Sequence, residues 1–272
     1  MNFIEKLARA SRKNRSLLCV GLDTDPALMP EKMDVYEFNK AIIDATADLV
    51  CAYKPNIAFY EAMGNVGLDA LKKTRDYIPK EIPVIIDAKR GDIGNTAKAY
   101  ARSLFEYFNF DAMTASPYLG LDSLEPFIQY PGRGVFILCR TSNPGAADFQ
   151  SLYVKTDGSP KMLFEIVAEK VNAWNIHGNL GLVVGATYPE ELKLIRERYP
   201  EMPLLIPGVG AQGGELLEVV RYGADARKER TIINSSRQIL YASRGKDFAA
   251  AAGKAAGELR DKINEYLRNI TR

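Results

Sequence analysis

Two aspartates and a lysine cluster at the end of an apolar run in Val84-Ile-Ile-Asp-Ala-Lys-Arg-Gly-Asp-Ile-Gly-Asn-Thr96. Val84, Ile85 and Ile86 are β-branched and read as a buried strand. Asp87 and Lys89 lie two apart, so on a continuing strand they share a face, and Asp92 follows in the turn before a helix opening near Gly94. Ions removed from water at such a place are costly unless they pair, so Asp-x-Lys-x-x-Asp at a strand end points to chemistry more than to stability. Lys54, in Ala52-Tyr-Lys-Pro-Asn-Ile-Ala-Phe59, sets another cation inside a predicted parallel strand, where apolar residues are the rule. A structural ion pair would explain one such lysine. Taken together, Lys54, Asp87, Lys89 and Asp92 alternate in sign, and each ammonium keeps its proton beside carboxylates that stay ionised. That array suits a reaction that builds negative charge on carbon and then protonates it, with Lys89 stabilising the carbanion and delivering the proton.

A second constellation concerns phosphate. Pro207-Gly-Val-Gly-Ala-Gln-Gly-Gly214 carries Gly208, Gly210 and Gly213 at G-x-G-x-x-G spacing. It follows a late strand, and no ribose-binding acid stands about twenty residues on, so a dinucleotide site is not expected. In a barrel the same glycines would expose backbone amides after strand seven, where phosphate is often held together with the loop after strand eight. Asn234-Ser-Ser-Arg-Gln238 supplies that second loop, with Arg237 as a bidentate clamp. The ligand implied is a phosphorylated small molecule.

Elements able to position these groups recur along the chain. Strands are predicted at Leu17–Leu22, Ala52–Phe59, Val84–Asp87, Ala112–Ala115, Val135–Arg140, Leu180–Gly185, Leu204–Pro207 and Thr231–Asn234, with amphipathic helical segments between them. Eight strand-then-helix units are the pattern of a (β/α)8 TIM barrel occupying 1–272 as one domain; a doubly wound open sheet is the alternative. The barrel would gather Asp23, Lys54, Asp87, Lys89, Ser142, Gln212 and Arg237 at the strand C-termini. The polar loop from Thr141 to about Pro160 reads as a lid or binding segment, with a surface insertion as the alternative.

Composition narrows the partners. With 36 basic and 34 acidic residues the formal charge is +2, which gives no electrostatic case for nucleic acid or a membrane surface. Hydrophobic content of 47% with 26% charged residues is ordinary globular composition. No run reaches the length of a membrane span, and Met1 to Asn14 lacks a signal-peptide core. Cys19, Cys51 and Cys139 show no CxxC spacing and read as buried free thiols, which with the missing leader implies a cytoplasmic protein. His177 is the only histidine and ligand spacings are absent, so no metal is expected. The charges of Arg196-Glu-Arg198 and Arg227-Lys-Glu-Arg230 read as solvated.

Asp87-Ala-Lys-Arg-Gly-Asp-Ile-Gly-Asn-Thr96, Ala115-Ser-Pro-Tyr-Leu-Gly-Leu-Asp-Ser-Leu-Glu-Pro126 and Asn234-Ser-Ser-Arg237 together resemble the orotidine 5′-monophosphate decarboxylase family, in its longer-chain bacterial and archaeal branch. The likeness runs from Gly21-Leu-Asp23 to the last helix, and Lys54 separates the chain from metal-dependent sugar-phosphate relatives. The resemblance implies an α/β-barrel homodimer without cofactor that converts orotidine monophosphate to uridine monophosphate in pyrimidine synthesis. By matching motifs it makes Lys89 the proton donor and sets Asp87 against the substrate carboxylate. It gives Lys54 and Asp23 the ribose hydroxyls, Ser142 the pyrimidine amide, and Gln212 and Arg237 the phosphate, with Ser236 beside them where some relatives have glycine. Asp92, Ile93 and Thr96 would reach into the partner's site. Two other readings compete. A magnesium-dependent hexulose-phosphate synthase or keto-gulonate-phosphate decarboxylase would lose activity in EDTA. A noncatalytic nucleotide-binding protein would leave the ultraviolet absorbance of orotidine monophosphate unchanged.

Overall fold

Short, mainly apolar runs buried on both faces build eight parallel strands in the computed structural model, which describes residues 1–209 and 213–270. They are β1 (Leu18–Leu22), β2 (Ala52–Pro55), β3 (Ile85–Arg90), β4 (Ala112–Ala115), β5 (Gly134–Arg140), β6 (Leu180–Val184), β7 (Leu204–Pro207) and β8 (Thr231–Ser235). The ladder runs β2-β1-β8-β7-β6-β5-β4-β3. Bridges from Tyr53 to Val84 and from Asn56 to Asp87 join its two ends, so the sheet closes on itself and is not the doubly wound alternative. Between and around the strands lie helices α1 (Phe3–Asn14), α2 (Val35–Thr46), α3 (Ile57–Glu61), α4 (Gly64–Tyr77), α5 (Gly94–Arg102), α6 (Leu121–Ile128), α7 (Leu163–Trp174), α8 (Pro189–Arg198), α9 (Gly213–Gly223), α10 (Arg237–Leu240) and α11 (Phe248–Ile270).

The interior is layered. Cys19, Ala52, Ile85, Ala112, Phe136, Val183, Leu205 and Ile232, one from each strand, form a buried apolar cluster with Phe3 and Leu7 of α1. Two residues further along, the same face of each strand carries Gly21, Lys54, Asp87, Thr114, Leu138, Gly185, Pro207 and Asn234. An apolar floor therefore underlies a polar mouth at the strand C-termini.

Helix α1 seals the opposite end. Its start is a capping box: Glu5 N donates to Asn2 Oδ1 at 2.9 Å and Asn2 N to Glu5 Oε2 at 3.0 Å. The Phe3 ring packs edge-on against Phe136 at 5.6 Å, in space that a Cβ at Gly134 would occupy. Lys6, buried on α1, lies 2.7 Å from Asp111, whose other oxygen meets Arg75 at 3.3 Å and the Val84 N–H at 2.9 Å. One carboxylate thus ties α1, α4 and the start of β3 together.

Three features differ from the sequence reading. The second strand stops at Pro55 rather than Phe59, because the Asn56 side chain accepts the Ala58 N–H at 3.2 Å and caps α3. The third strand continues past Asp87 to Arg90. Arg196 is buried rather than solvated: it donates to the carbonyls of Gly223 at 3.0 Å, Pro200 at 2.9 Å and Met202 at 2.8 Å. Burial pushes its guanidinium down to about 10. Backbone carbonyls left over where α8 and α9 end find donors in this side chain, with the Thr231 hydroxyl adding a second bond to Gly223 O at 2.8 Å.

The segment 141–160 contains a 3-10 turn at Pro144–Asp148, and Tyr153–Val154 pairs antiparallel with Lys161–Met162. The Gln150 side chain folds it back, accepting the Thr141 N–H at 2.8 Å and donating to the Thr141 hydroxyl at 2.9 Å. The three cysteines are buried and unpaired. Among the described residues no helix is long and apolar enough to cross a membrane.

Substituting Asp111→Ala removes the shared carboxylate and leaves two buried cations unpaired. It should cost about 3–5 kcal/mol in urea denaturation. A loss below about 1 kcal/mol would show that the cluster does not hold the base of the barrel together.

Candidate active site

The closing seam of the barrel sets the site. Strands β2 and β3 meet there, and the side chains of Lys54 and Asp87 both turn inward above the apolar floor. Lys54 Nζ lies 3.1 Å from Asp87 Oδ2 and 3.8 Å from Asp23 Oδ1, just past the end of β1. Lys89 Nζ lies 2.6 Å from Asp87 Oδ1. The two lysines differ in access: Lys54 is 3% exposed, whereas the Lys89 side chain is 50% exposed and reaches the mouth. Lys89 is also in the left-handed backbone region, at φ 46°, which is unfavourable for a residue with a Cβ. The β3–β4 register shifts between Ile86 and Arg90, so Lys89 sits on a bulge that redirects its side chain.

Charge pairing holds the ionised forms in place. Burial opposes the Lys54 ammonium, but Asp87 and Asp23 outweigh it and hold its pKa above the ordinary lysine value. Burial likewise opposes the Asp87 carboxylate, and Lys54 and Lys89 overcome it, keeping Asp87 well below the usual carboxylate range. Beside this array lies a cavity of about 310 Å³ bordered by Asp23, Lys54, Asp87, Gly208, Asn234 and Arg237. The Oδ1 atoms of Asp23 and Asn234 are buried without hydrogen-bond partners, positions that the donors of a polar ligand would satisfy.

The family model for orotidine 5′-phosphate decarboxylase / HUMPS matches residues 16–252. This chain belongs to that family. An orotidine 5′-phosphate decarboxylase of Dehalococcoides mccartyi strain CBDB1 is 54% identical over 270 residues, covering 99% of this chain and 100% of that protein. One from Roseiflexus castenholzii is also 54% identical, over 276 residues, with 99% and 100% covered. The solved structure of Leishmania donovani OMP decarboxylase superimposes with a TM-score of 0.85 at 42% identity, covering 98% of this chain and 99% of that one.

Within this orotidine 5′-phosphate decarboxylase / HUMPS chain, the structure brings together Asp23, Lys54, Asp87 and Lys89 but not Asp92. The second acid of the array is Asp23. Asp92 Oδ1 accepts the Ile93 N–H at 2.8 Å, and no ion pair to Asp92 forms among the described residues. Ile93 and Thr96 are exposed beyond it. Ser142 lies against the ends of β6 and β7: a Cβ at Gly185 would come within 2.9 Å of the Ser142 side chain, and one at Gly208 within 3.6 Å of its hydroxyl. Ser236 accepts from Asn234 Nδ2 at 3.3 Å and packs so closely on Gly21 that a Cβ there would overlap its hydroxyl. Arg237 is exposed at the start of α10 on the cavity wall. Gln212 lies outside the described residues. Sequence reasoning alone misses Thr114 and the side chain of Asn234. Their signal is a polar residue two places past an apolar one on the interior face of a short strand.

The pKa shifts have opposite signs and so act at opposite ends of the pH scale. Asp87, depressed in the folded state, contributes stability above its unfolded value near 4 and loses it as pH falls through the folded value; Lys54, raised, contributes below about 10 and loses it as pH rises through its folded value. The urea-denaturation free energy of the parent minus that of Asp87→Asn should stay level from about pH 5 to 9 and narrow below about pH 4. A gap that persists unchanged on acidification would contradict the pairing.

Proposed function

We propose that this protein converts orotidine 5′-monophosphate to uridine 5′-monophosphate and carbon dioxide, without metal or organic cofactor, in cytoplasmic pyrimidine biosynthesis. The observation that carries the reading is the Lys54–Asp87–Lys89 array, with contacts of 3.1 and 2.6 Å, at the mouth of a barrel of this family. Relatives named orotidine 5′-phosphate decarboxylase at 54% identity over nearly the whole chain support the substrate. The ammonium of Lys54 stands between Asp23 and Asp87, where a divalent ion would otherwise bridge two carboxylates; this favours the metal-free reaction over the magnesium-dependent one.

In this mechanism the bond from C6 to the carboxylate breaks heterolytically, carbon dioxide departs and the electron pair stays on C6. Lys89 stabilises the carbanion, transfers one proton to C6 and regains a proton from solvent. Asp87, held ionised between two lysines, faces the substrate carboxylate. Decarboxylases commonly delocalise such a pair into thiamine or pyridoxal. Here the barrier falls through charges fixed before the substrate arrives and through binding energy drawn from the remote phosphate. Lys54 and Asp23 bind ribose hydroxyls, Ser142 the pyrimidine amide, and Gln212, Ser236 and Arg237 the phosphate.

Each site is completed by a second copy of the chain, which contributes Asp92, Ile93 and Thr96. Two observations support a homodimer with shared sites. Asp92 is unpaired by any described cation of its own chain, and the loops after β3 and β4 leave Ile93, Tyr118 and Leu119 exposed.

Lys89→Ala should bind uridine monophosphate while decarboxylation, followed by ultraviolet absorbance, falls by several powers of ten. A variant within about tenfold of the parent would remove Lys89 from the chemistry. Mixing Lys89→Ala with Asp92→Ala under conditions that exchange subunits should recover activity. About half the dimers become mixed, each with one intact and one doubly damaged site, so roughly a quarter of all sites are restored. Verified exchange with no recovery would return Asp92 to its own barrel.

A further inference from the structure

A bulge breaks the backbone ladder where the reactive lysine stands. The β3–β4 pairing is regular at Ile86 with Met113 and resumes at Arg90 with Ala115, where Ser116 N donates to Arg90 O at 2.8 Å. Between these points the N–H groups of Ala88 and Lys89 have no ladder partner and would be left unsatisfied. The hydroxyl of Thr114 accepts both, at 3.0 and 2.9 Å, and donates its own hydrogen to Asp87 Oδ1 at 2.9 Å. A hydroxyl offers one donor and two acceptor sites, and all three are used. Thr114 is itself 1% exposed, so water does not compete for these bonds.

The three bonds fall on three consecutive residues with different needs. Lys89 adopts a left-handed backbone that a lysine does not favour on its own, and such a conformation persists only where its surroundings over-determine it. Ala88 begins the bulge. Asp87 must stay fixed while its oxygens face Lys54 and Lys89. A β-branched threonine on β4 has a restricted χ1, so its hydroxyl is already aimed. We propose that Thr114 is a positioning residue for the decarboxylation: it locks the bulge that aims the Lys89 ammonium and fixes the carboxylate of Asp87 without touching substrate. The inference rests on the proposed activity and adds to it a residue outside the set that meets the ligand.

The test compares Thr114→Val, which keeps the shape and deletes the hydroxyl, with Thr114→Ser, which keeps the hydroxyl. Thr114→Val should remain folded and bind uridine monophosphate within about threefold of the parent, while kcat falls by about 10- to 100-fold and KM changes little. Thr114→Ser should restore kcat to within about threefold. A residue needed only for stability would lower the thermal midpoint and the fraction of protein able to bind nucleotide, but not kcat per binding-competent site. The assignment is overturned if Thr114→Val keeps kcat within about threefold, if the loss sits in KM and nucleotide affinity alone, or if Thr114→Ser is as impaired as valine. Should Thr114→Val fail to fold, Thr114→Ala carries the same expectation, and failure of both to fold also overturns it. The parent, assayed in parallel, separates the two claims. A parent that does not decarboxylate orotidine monophosphate overturns both, whereas an active parent with a fully active valine variant overturns the Thr114 assignment alone.

Discussion

Asp87 stands largely buried between two ammonium groups at the floor of an open mouth, and the rest of the structure depends on keeping it there. An isolated carboxylate at this depth would take up a proton, and an isolated Lys54 would lose one. Together they remain ionised because each supplies the field that the other lacks in place of water. The two carboxylates and two ammonium groups balance in formal charge, so the array is neutral enough to bury while it presents fixed charges to the mouth. Geometry therefore matters more than composition, since charges displaced by an ångström would lose both their mutual support and their aim.

The barrel supplies that geometry through its alternation. Each strand offers an apolar residue to the floor and, two places later, a residue to the mouth, so the same backbone that buries Ile85 presents Asp87, and the one that buries Ala52 presents Lys54. Helix α1 closes the far end with Phe3 and Leu7, and the Lys6–Asp111–Arg75 cluster ties that plug to the wall. Stability is thus concentrated at the floor and in the layer between strands and helices, leaving the mouth free to hold strained backbone and orphaned polar atoms. Lys89 and its bulge belong to that mouth, and Thr114 brings to them hydrogen bonds that the interrupted ladder cannot provide.

Much of this is legible in the sequence. Apolar runs with β-branched residues located eight strands, and the number of strand-then-helix units selected the barrel. Asp87, Lys89 and Lys54 stood out because ions inside apolar strands are costly. Other features were invisible for definite reasons. Pro55-Asn56 reads equally as strand continuation or as a cap, and only the Asn56 side chain closing on the Ala58 N–H decides. Arg196 has the helical context of a solvated charge, and its burial follows from where α8 and α9 happen to end against each other. Thr114 is a common strand residue whose value arises from a register shift in a neighbouring strand.

Residue type and spacing by themselves determined the kind of chemistry and the kind of fold, because both are local: alternation follows from backbone geometry, and an ion in an apolar run announces itself. Tertiary structure alone decided which charges pair. Sequence spacing grouped Asp92 with Lys89, three residues away. The closed barrel brings Asp23 to Lys54 from another strand, while Asp92 makes no ion pair among the described residues. Coulombic pairing depends on distance in space, and the bulge after Asp87 and the seam between β2 and β3 set those distances in ways that no count along the chain records.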